Sequence, residues 1–254
     1  GGPLAVLLIA IVAAEFGKAV SKETRVDILV TPLVTILIGV ALSALVAPAI
    51  GTAASSVGEF VEWATVLQPF WMGILVSVVI GIALTLPISS AAICAALGLT
   101  GLAGGAAVAG CCAQMVGFAV LSFRENRWGG LVSQGLGTSM LQMGNIVKNP
   151  KIWIPATLAS AITGPIATCL FKFQMNDPAG GVASGMGTCG MVGPIGVYAG
   201  WVNDVAIGVK ASITSMDWLA MALICFILPA VLTWMIGILC RKLGWIQDGD
   251  LKLD

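Results

Sequence analysis

The chain has 254 residues, 58% of them hydrophobic and 9% charged, and its 12 basic and 12 acidic side chains cancel to zero net charge. A soluble domain carries roughly a quarter of its residues as charges, so a mean hydropathy of +1.02 implies an integral membrane protein bathed in lipid. The charge balance, with no basic patch interleaved with aromatics, excludes nucleic acid as a partner.

The first apolar run, Pro3 to Phe16, has no basic residues before it and no cleavage site after it, and is not read as a signal peptide. Longer apolar runs follow at Ile28–Ile50, Pro69–Leu86, Gly101–Phe123, Ile152–Phe171 and Trp218–Cys240. A sixth candidate, Val192–Val209, is interrupted by Asn203 and Asp204. With the opening run this predicts about seven spans. The third long run begins "GLAGGAAVAGCC", and side chains this small let helix backbones approach closely.

The connections are of three kinds. Basic loops carry Lys18, Lys22 and Arg25, then Arg124 and Arg127, then Arg241 and Lys242, but Lys148 and Lys151 leave the orientation open. The stretch 55–68 is amphipathic: Phe60, Val61, Ala64 and Leu67 share a stripe, Glu59 and Glu62 lie on another side, and Trp63 is a natural interfacial anchor. Three further stretches, 86–99, 133–150 and 176–196, are too apolar for loops and too broken for spans. The last, "NDPAGGVASGMGTCGMVGPIG", holds seven glycines and two prolines. Irregular backbone at membrane depth persists only where protein or a water-filled cavity satisfies its amides and carbonyls, and transporters build solute sites from such re-entrant segments. The predicted fold is therefore all-α, a polytopic helical membrane protein with re-entrant hairpins.

Histidine is absent, which removes a histidine base, a histidine metal ligand and a phosphohistidine. The seven cysteines (94, 111, 112, 169, 189, 225, 240) form no CxxC pair and read as small apolar packing residues. No catalytic residue, metal or cofactor is expected. The polar candidates in or beside the broken segments are Ser89, Ser90, Gln114, Gln134, Thr138, Ser139, Gln142, Asn145, Asn149, Asn176, Asp177, Ser184, Thr188, Asn203 and Asp204. They are mostly neutral amides and hydroxyls, which suit an uncharged polyhydroxylated solute better than an ion. From them, Gln134, Thr138, Ser139, Gln142, Asn145, Asn149, Asp177 and Thr188 are assigned to solute binding, the first five as the lining of a cavity. Plainer roles stand beside these: Gln114 bonding a neighbouring helix, and Asn149-Pro150 or Asp177-Pro178 starting a helix or turn.

The stretch "GTSMLQMGNIVKNPKIWIPATLASAITGPIATCLFKF" followed by "NDPAGGVASGMGTCGMVGPIG" resembles the enzyme IIC family of the phosphoenolpyruvate-dependent sugar phosphotransferase system, in the branch that includes proteins named perfringolysin O regulators. The resemblance runs from Ile28 to Trp245 and is strongest over 133–196. "NPKIWIP" is similar to the "NPxxxIP" element that follows a substrate-binding loop in sugar-specific members. The resemblance implies a homodimer in the bacterial inner membrane, with a sugar as the small polar solute and a cytoplasmic IIB protein as partner. It also implies a single membrane domain over 1–254, with a scaffold or interface part at 1–130 and a solute-binding part at 131–254. The segments 133–149 and 176–190 would line the solute site. Any enzymatic role would be that of the non-catalytic membrane subunit. Sugar-transporting members place a glutamate near the position of Thr138-Ser139, and many also use a histidine; this chain has neither. The expected function is translocation of a small polar solute by alternating access. The alternative is a membrane-embedded sensor or regulator that kept the enzyme IIC-like fold and lost phosphotransfer-coupled transport.

Overall fold

A computed structural model describes residues 2–23, 26–176 and 181–253. Helices α1 (Gly2–Val20) and α2 (Asp27–Leu45) pair side by side, and α3 (Ala47–Leu67) follows. Next come α4 (Pro69–Thr85), the short α5 (Ser90–Leu97), α6 (Gly101–Leu121) and α7 (Phe123–Val132), the last interrupted at Arg127. The chain then breaks into a π turn at Ser133–Gly137, a 3-10 turn at Ser139–Gln142, the two-turn α8 (Met143–Lys148) and a second 3-10 turn at Pro150–Trp153. Helix α9 (Ile154–Pro165) ends in another π turn, Ile166–Leu170. After two 3-10 turns come α10 (Val192–Ala206), α11 (Ser215–Ala222) and, across a third π turn, α12 (Leu228–Lys242).

Four helical stretches among the described residues are long and apolar enough to cross a membrane: Asp27–Leu45, Gly101–Leu121, Pro150–Leu170 and Ser215–Lys242. Pro69–Thr85 is as apolar but shorter. The expected run 192–209 forms α10, whose 15 residues reach about 22 Å at 1.5 Å per residue, short of a hydrocarbon core of about 30 Å.

Helix α6 is the axis of the molecule. It is buried over nearly its whole length, with α4, α9 and α12 packed around it. Its small residues are the reason this is possible. A Cβ on Gly110 would collide with the Ser77 carbonyl of α4, and one on Gly164 of α9 with the Gly73 carbonyl. Glycine costs a helix about 1 kcal/mol against alanine, and close backbone contact offsets that where lipid gives no hydrophobic drive for association. Hydroxyls stitch the same helices: Ser77 Oγ donates to the Ser160 carbonyl at 2.8 Å and Thr168 Oγ1 to the Pro69 carbonyl at 2.6 Å.

In α3 the buried positions are Ala47, Ala54, Gly58 and Thr65, while Phe60, Trp63, Val66 and Leu67 are exposed. The inward stripe thus carries small residues, where the Leu97 backbone of α5 lies against Gly58. The broken stretches satisfy one another's backbone. Ser90 Oγ donates to the Gly185 carbonyl at 2.6 Å, and Ser184 Oγ to the Leu99 carbonyl at 2.7 Å.

Candidate functional site

The 133–150 stretch lies between α7 and α9 with its polar side chains pointing two ways. On one side they hold a strap, residues 245–253. Gln134 Nε2 donates to Ser122 Oγ at 2.7 Å and to the Gly130 carbonyl at 3.1 Å. Gln142 Nε2 donates to Gln134 Oε1 and to the Leu251 carbonyl, both at 3.0 Å. Asn145 Nδ2 continues the ladder, to Gln142 Oε1 and the Lys252 carbonyl, both at 2.9 Å. Asn149 Nδ2 donates to the Trp245 carbonyl at 3.0 Å and to Asp250 Oδ2 at 2.8 Å, while its Oδ1 accepts from the Lys151 amide. Asn149 therefore also caps the turn that opens the next span, its plainer role.

Asn126 completes this clasp: its Nδ2 donates to the Leu251 carbonyl at 2.7 Å and its Oδ1 accepts from the Leu253 amide at 2.8 Å. Sequence reasoning passed over Asn126 because it sits in a charged loop, where an amide carries no special signal. Arg241 anchors the start of the strap, donating to Glu125 Oε1 at 2.8 Å and to Asp248 Oδ1 at 3.0 Å.

On the other side is an inner cluster. Ser139 Oγ and Thr85 Oγ1 are 2.8 Å apart, and both are buried. Thr85 Oγ1 also donates to Gln114 Oε1 at 3.3 Å, and Trp153 Nε1 donates to the same oxygen at 3.0 Å. Gln114 Nε2 reaches Thr157 Oγ1 at 3.4 Å and Ser160 Oγ at 3.5 Å. These last bonds are at the long limit, whereas a well-formed N–H···O contact is near 2.9–3.0 Å. Gln114 is fully buried, but Trp153 and Thr157 are only partly so. Thr85, Trp153, Thr157 and Ser160 went unnoticed in the sequence because isolated hydroxyls and indoles do not disturb an apolar span. The only available signal was Thr157 and Ser160 at i,i+3, which shares a helix face.

The remaining expected residues lie apart. Thr138 Oγ1 accepts from the Met140 amide at 3.1 Å and caps the 3-10 turn. Thr188 Oγ1 donates to the Gly135 carbonyl at 2.6 Å, tying the 181–191 stretch to 133–137. Asp177 lies outside the described residues. The structure thus brings Gln134, Gln142, Asn145 and Asn149 together around the strap and Ser139 into the inner cluster. In this conformation their polar atoms are committed to protein groups. The cavities near Arg124, near Ile93 and near Lys210 are lined by other residues.

The inner cluster is a chain of neutral donors and acceptors inside an apolar helix bundle, with an indole beside it. Such a cluster can hold hydroxyl groups, but it offers no carboxylate base or nucleophile. Neither the curated proteins nor the solved structures gave a significant match to this chain. The family model described as "Phosphotransferase system, EIIC" matches residues 1–253, and the chain belongs to that family, the integral membrane permease component of sugar phosphotransferase systems.

Proposed function

We propose that this chain translocates a small polar solute, a sugar or related polyol, by alternating access, and that the inner cluster is the part of the site which the solute meets. The observation that carries the proposal is Gln114: a fully buried amide whose two donors are held only by 3.4 and 3.5 Å bonds. A ligand hydroxyl at normal distance would bond it better than Thr157 and Ser160 do. Trp153 turns its indole N–H to the same amide's oxygen, a second donor that a ligand hydroxyl could engage. Family membership supports a sugar as substrate and a cytoplasmic IIB protein as partner.

Around that core, Gln134, Thr138, Ser139, Gln142, Asn145, Asn149, Asp177 and Thr188 would contact the solute or shape its path. The amides on the strap side would become available when residues 245–253 move. A homodimer in the bacterial inner membrane, about seven crossings with re-entrant hairpins at 133–149 and 176–190, and the division into a 1–130 scaffold with an amphipathic 55–68 helix and a 131–254 solute-binding part all belong to the same proposal. So does the branch that includes the perfringolysin O regulators.

A second reading has its own observation. Thr138-Ser139 stand where transporting relatives carry a glutamate, and Gln142 and Asn145 are spent on the strap. A sensor or regulator that binds solute without moving it would be built this way.

The test is a thermal-shift screen of the purified chain in detergent against sugars and polyols, since a ligand of the native state raises apparent stability with concentration. A dose-dependent shift that is weakened about tenfold or more by Gln114→Leu supports the site. An unchanged shift in Gln114→Leu and in Gln142→Ala would place the solute elsewhere. Saturable flux in proteoliposomes separates the permease from the sensor.

A further inference from the structure

Where α6 and α12 end side by side, four cationic side chains meet two carboxylates. Arg124 and Arg127 come from the kinked α7, and Arg241 and Lys242 from the last turn of α12. Arg241 reaches across to the last turn of α6, donating to the Leu121 carbonyl at 3.3 Å and to Glu125 at 2.8 Å. A cation there also complements the partial negative charge of the two helix C-termini. The carboxylate of Asp248 lies 3.0 Å from Arg241 Nη1 and 3.9 Å from Arg124 Nη1. Arg241 is only 15% exposed, but Arg124 and Asp248 are 74% and 85% exposed. The Asp248 carboxylate thus marks the place an anion takes between the two guanidinium groups, and solvent reaches it.

Three cavities share Arg124 as a wall. One, of about 400 Å³, runs between α6–α7 and α12 and is lined by Phe123, Leu131, Trp234 and Ile238, with Arg124 and Arg241 at its polar end. The other two, of about 550 and 300 Å³, carry Lys242 and Asp248, and Arg127 and Glu125, respectively. Trp234 and Ile238 belong to the exposed apolar face of α12, and Trp128 is exposed beside Phe123, with ring centroids 5.3 Å apart. Trp and Tyr favour the level of lipid headgroups. Arg127 is held at φ 51°, a backbone region that side-chain-bearing residues seldom adopt.

We infer that this end of α6, α7 and α12 is a binding site for one anionic phospholipid. The phosphodiester would lie against Arg124, Arg127 and Lys242, displacing or joining Asp248, and an acyl chain would enter the apolar cavity beside Trp234. The cluster's surplus of positive charge favours an anionic over a zwitterionic headgroup. The apolar wall distinguishes a lipid from free phosphate, which would gain nothing from it. Lipid tails are as apolar as this wall, so the wall supplies shape and the arginines supply selectivity. The site is separate from the inner cluster and does not depend on the solute proposal.

The test is thermal shift and native mass spectrometry of the full chain in detergent. The probes are phosphatidylglycerol, phosphatidylcholine of the same chain length, and inorganic phosphate. Phosphatidylglycerol should bind and stabilise, and the double variant Arg124→Gln/Arg127→Gln should weaken it about 30-fold, from about 1 kcal/mol for each cation near a lipid surface. Both arginines are exposed, so stability without lipid should not change, and Arg124→Lys/Arg127→Lys should keep most of the binding. Equal binding of phosphatidylcholine, no binding of phosphatidylglycerol, or full affinity in the glutamine double variant would each overturn the proposal. A shift reproduced by inorganic phosphate alone would do the same, by showing a site for a free anion.

Discussion

Two polar regions flank the 133–150 stretch, and they use the same chemistry in different ways. The clasp around residues 245–253 has bonds of 2.7–3.0 Å in which amides of Asn126, Gln142 and Asn145 donate to backbone carbonyls. The inner cluster around Gln114 has amide donors at 3.4 and 3.5 Å. Tight bonds to backbone carbonyls fix a segment. Loose bonds between side chains in a buried place leave hydrogen-bonding capacity that a solute can take. Under the proposed function, the difference means that polarity inside this membrane protein does not by itself mark a site, and that the quality of the bonds already made does.

The largest test of this contrast is at the anchor of the strap. Arg241→Ala leaves the Glu125 carboxylate, only 8% exposed, without its partner, at a cost of about 3–5 kcal/mol for an uncompensated buried charge. Thermal unfolding in detergent should show the loss, and proteolysis should reach residues 245–253 first. A smaller effect comes from Gln142→Leu, which leaves Gln134 Oε1 without its donor and takes one acceptor from Asn145 Nδ2, while the Leu251 carbonyl keeps only its bond from Asn126. Unsatisfied buried groups of this kind cost about 1–3 kcal/mol. Faster hydrogen exchange at the Leu253 amide, which is bonded to Asn126, would confirm that the strap is what loosens.

Gln114→Leu should cost about 1–2 kcal/mol of stability, because side-chain bonds between membrane helices average about 0.6 kcal/mol each, and it loses two long donor bonds together with the acceptor of Trp153 Nε1 and Thr85 Oγ1. Its larger effect should fall on solute binding. If Gln114→Leu destabilises the fold more than Gln142→Leu does, the contrast fails. Thr138→Ala should be the mildest, within about 0.5–1 kcal/mol, since its hydroxyl caps only a short turn.

Part of the site was legible in the sequence. Five polar residues between Gln134 and Asn145, in a stretch too broken to be a helix, point to an organised polar region; the structure divides them, with Gln134, Gln142 and Asn145 on the strap side, Ser139 in the inner cluster and Thr138 capping a turn. What they touch was not legible. Gln142 and Leu251 are 109 positions apart, and nothing local to "LQMGN" names a partner so distant. Likewise Thr85, Trp153 and Thr157 join Gln114 only because α4, α6 and α9 pack together.

The sequence by itself determined the solvent, the helical class and the positions of the long apolar helices, because a chain this apolar must satisfy its backbone internally in lipid. Only the tertiary structure decided which helices are inside. Helix α2 is the more apolar and has no buried residue, while α6 is less apolar and almost wholly buried. In water the more apolar helix would claim the core. In a bilayer apolarity gives no preference between protein and lipid, and the interior goes to the helix whose glycines and alanines let its neighbours come closest.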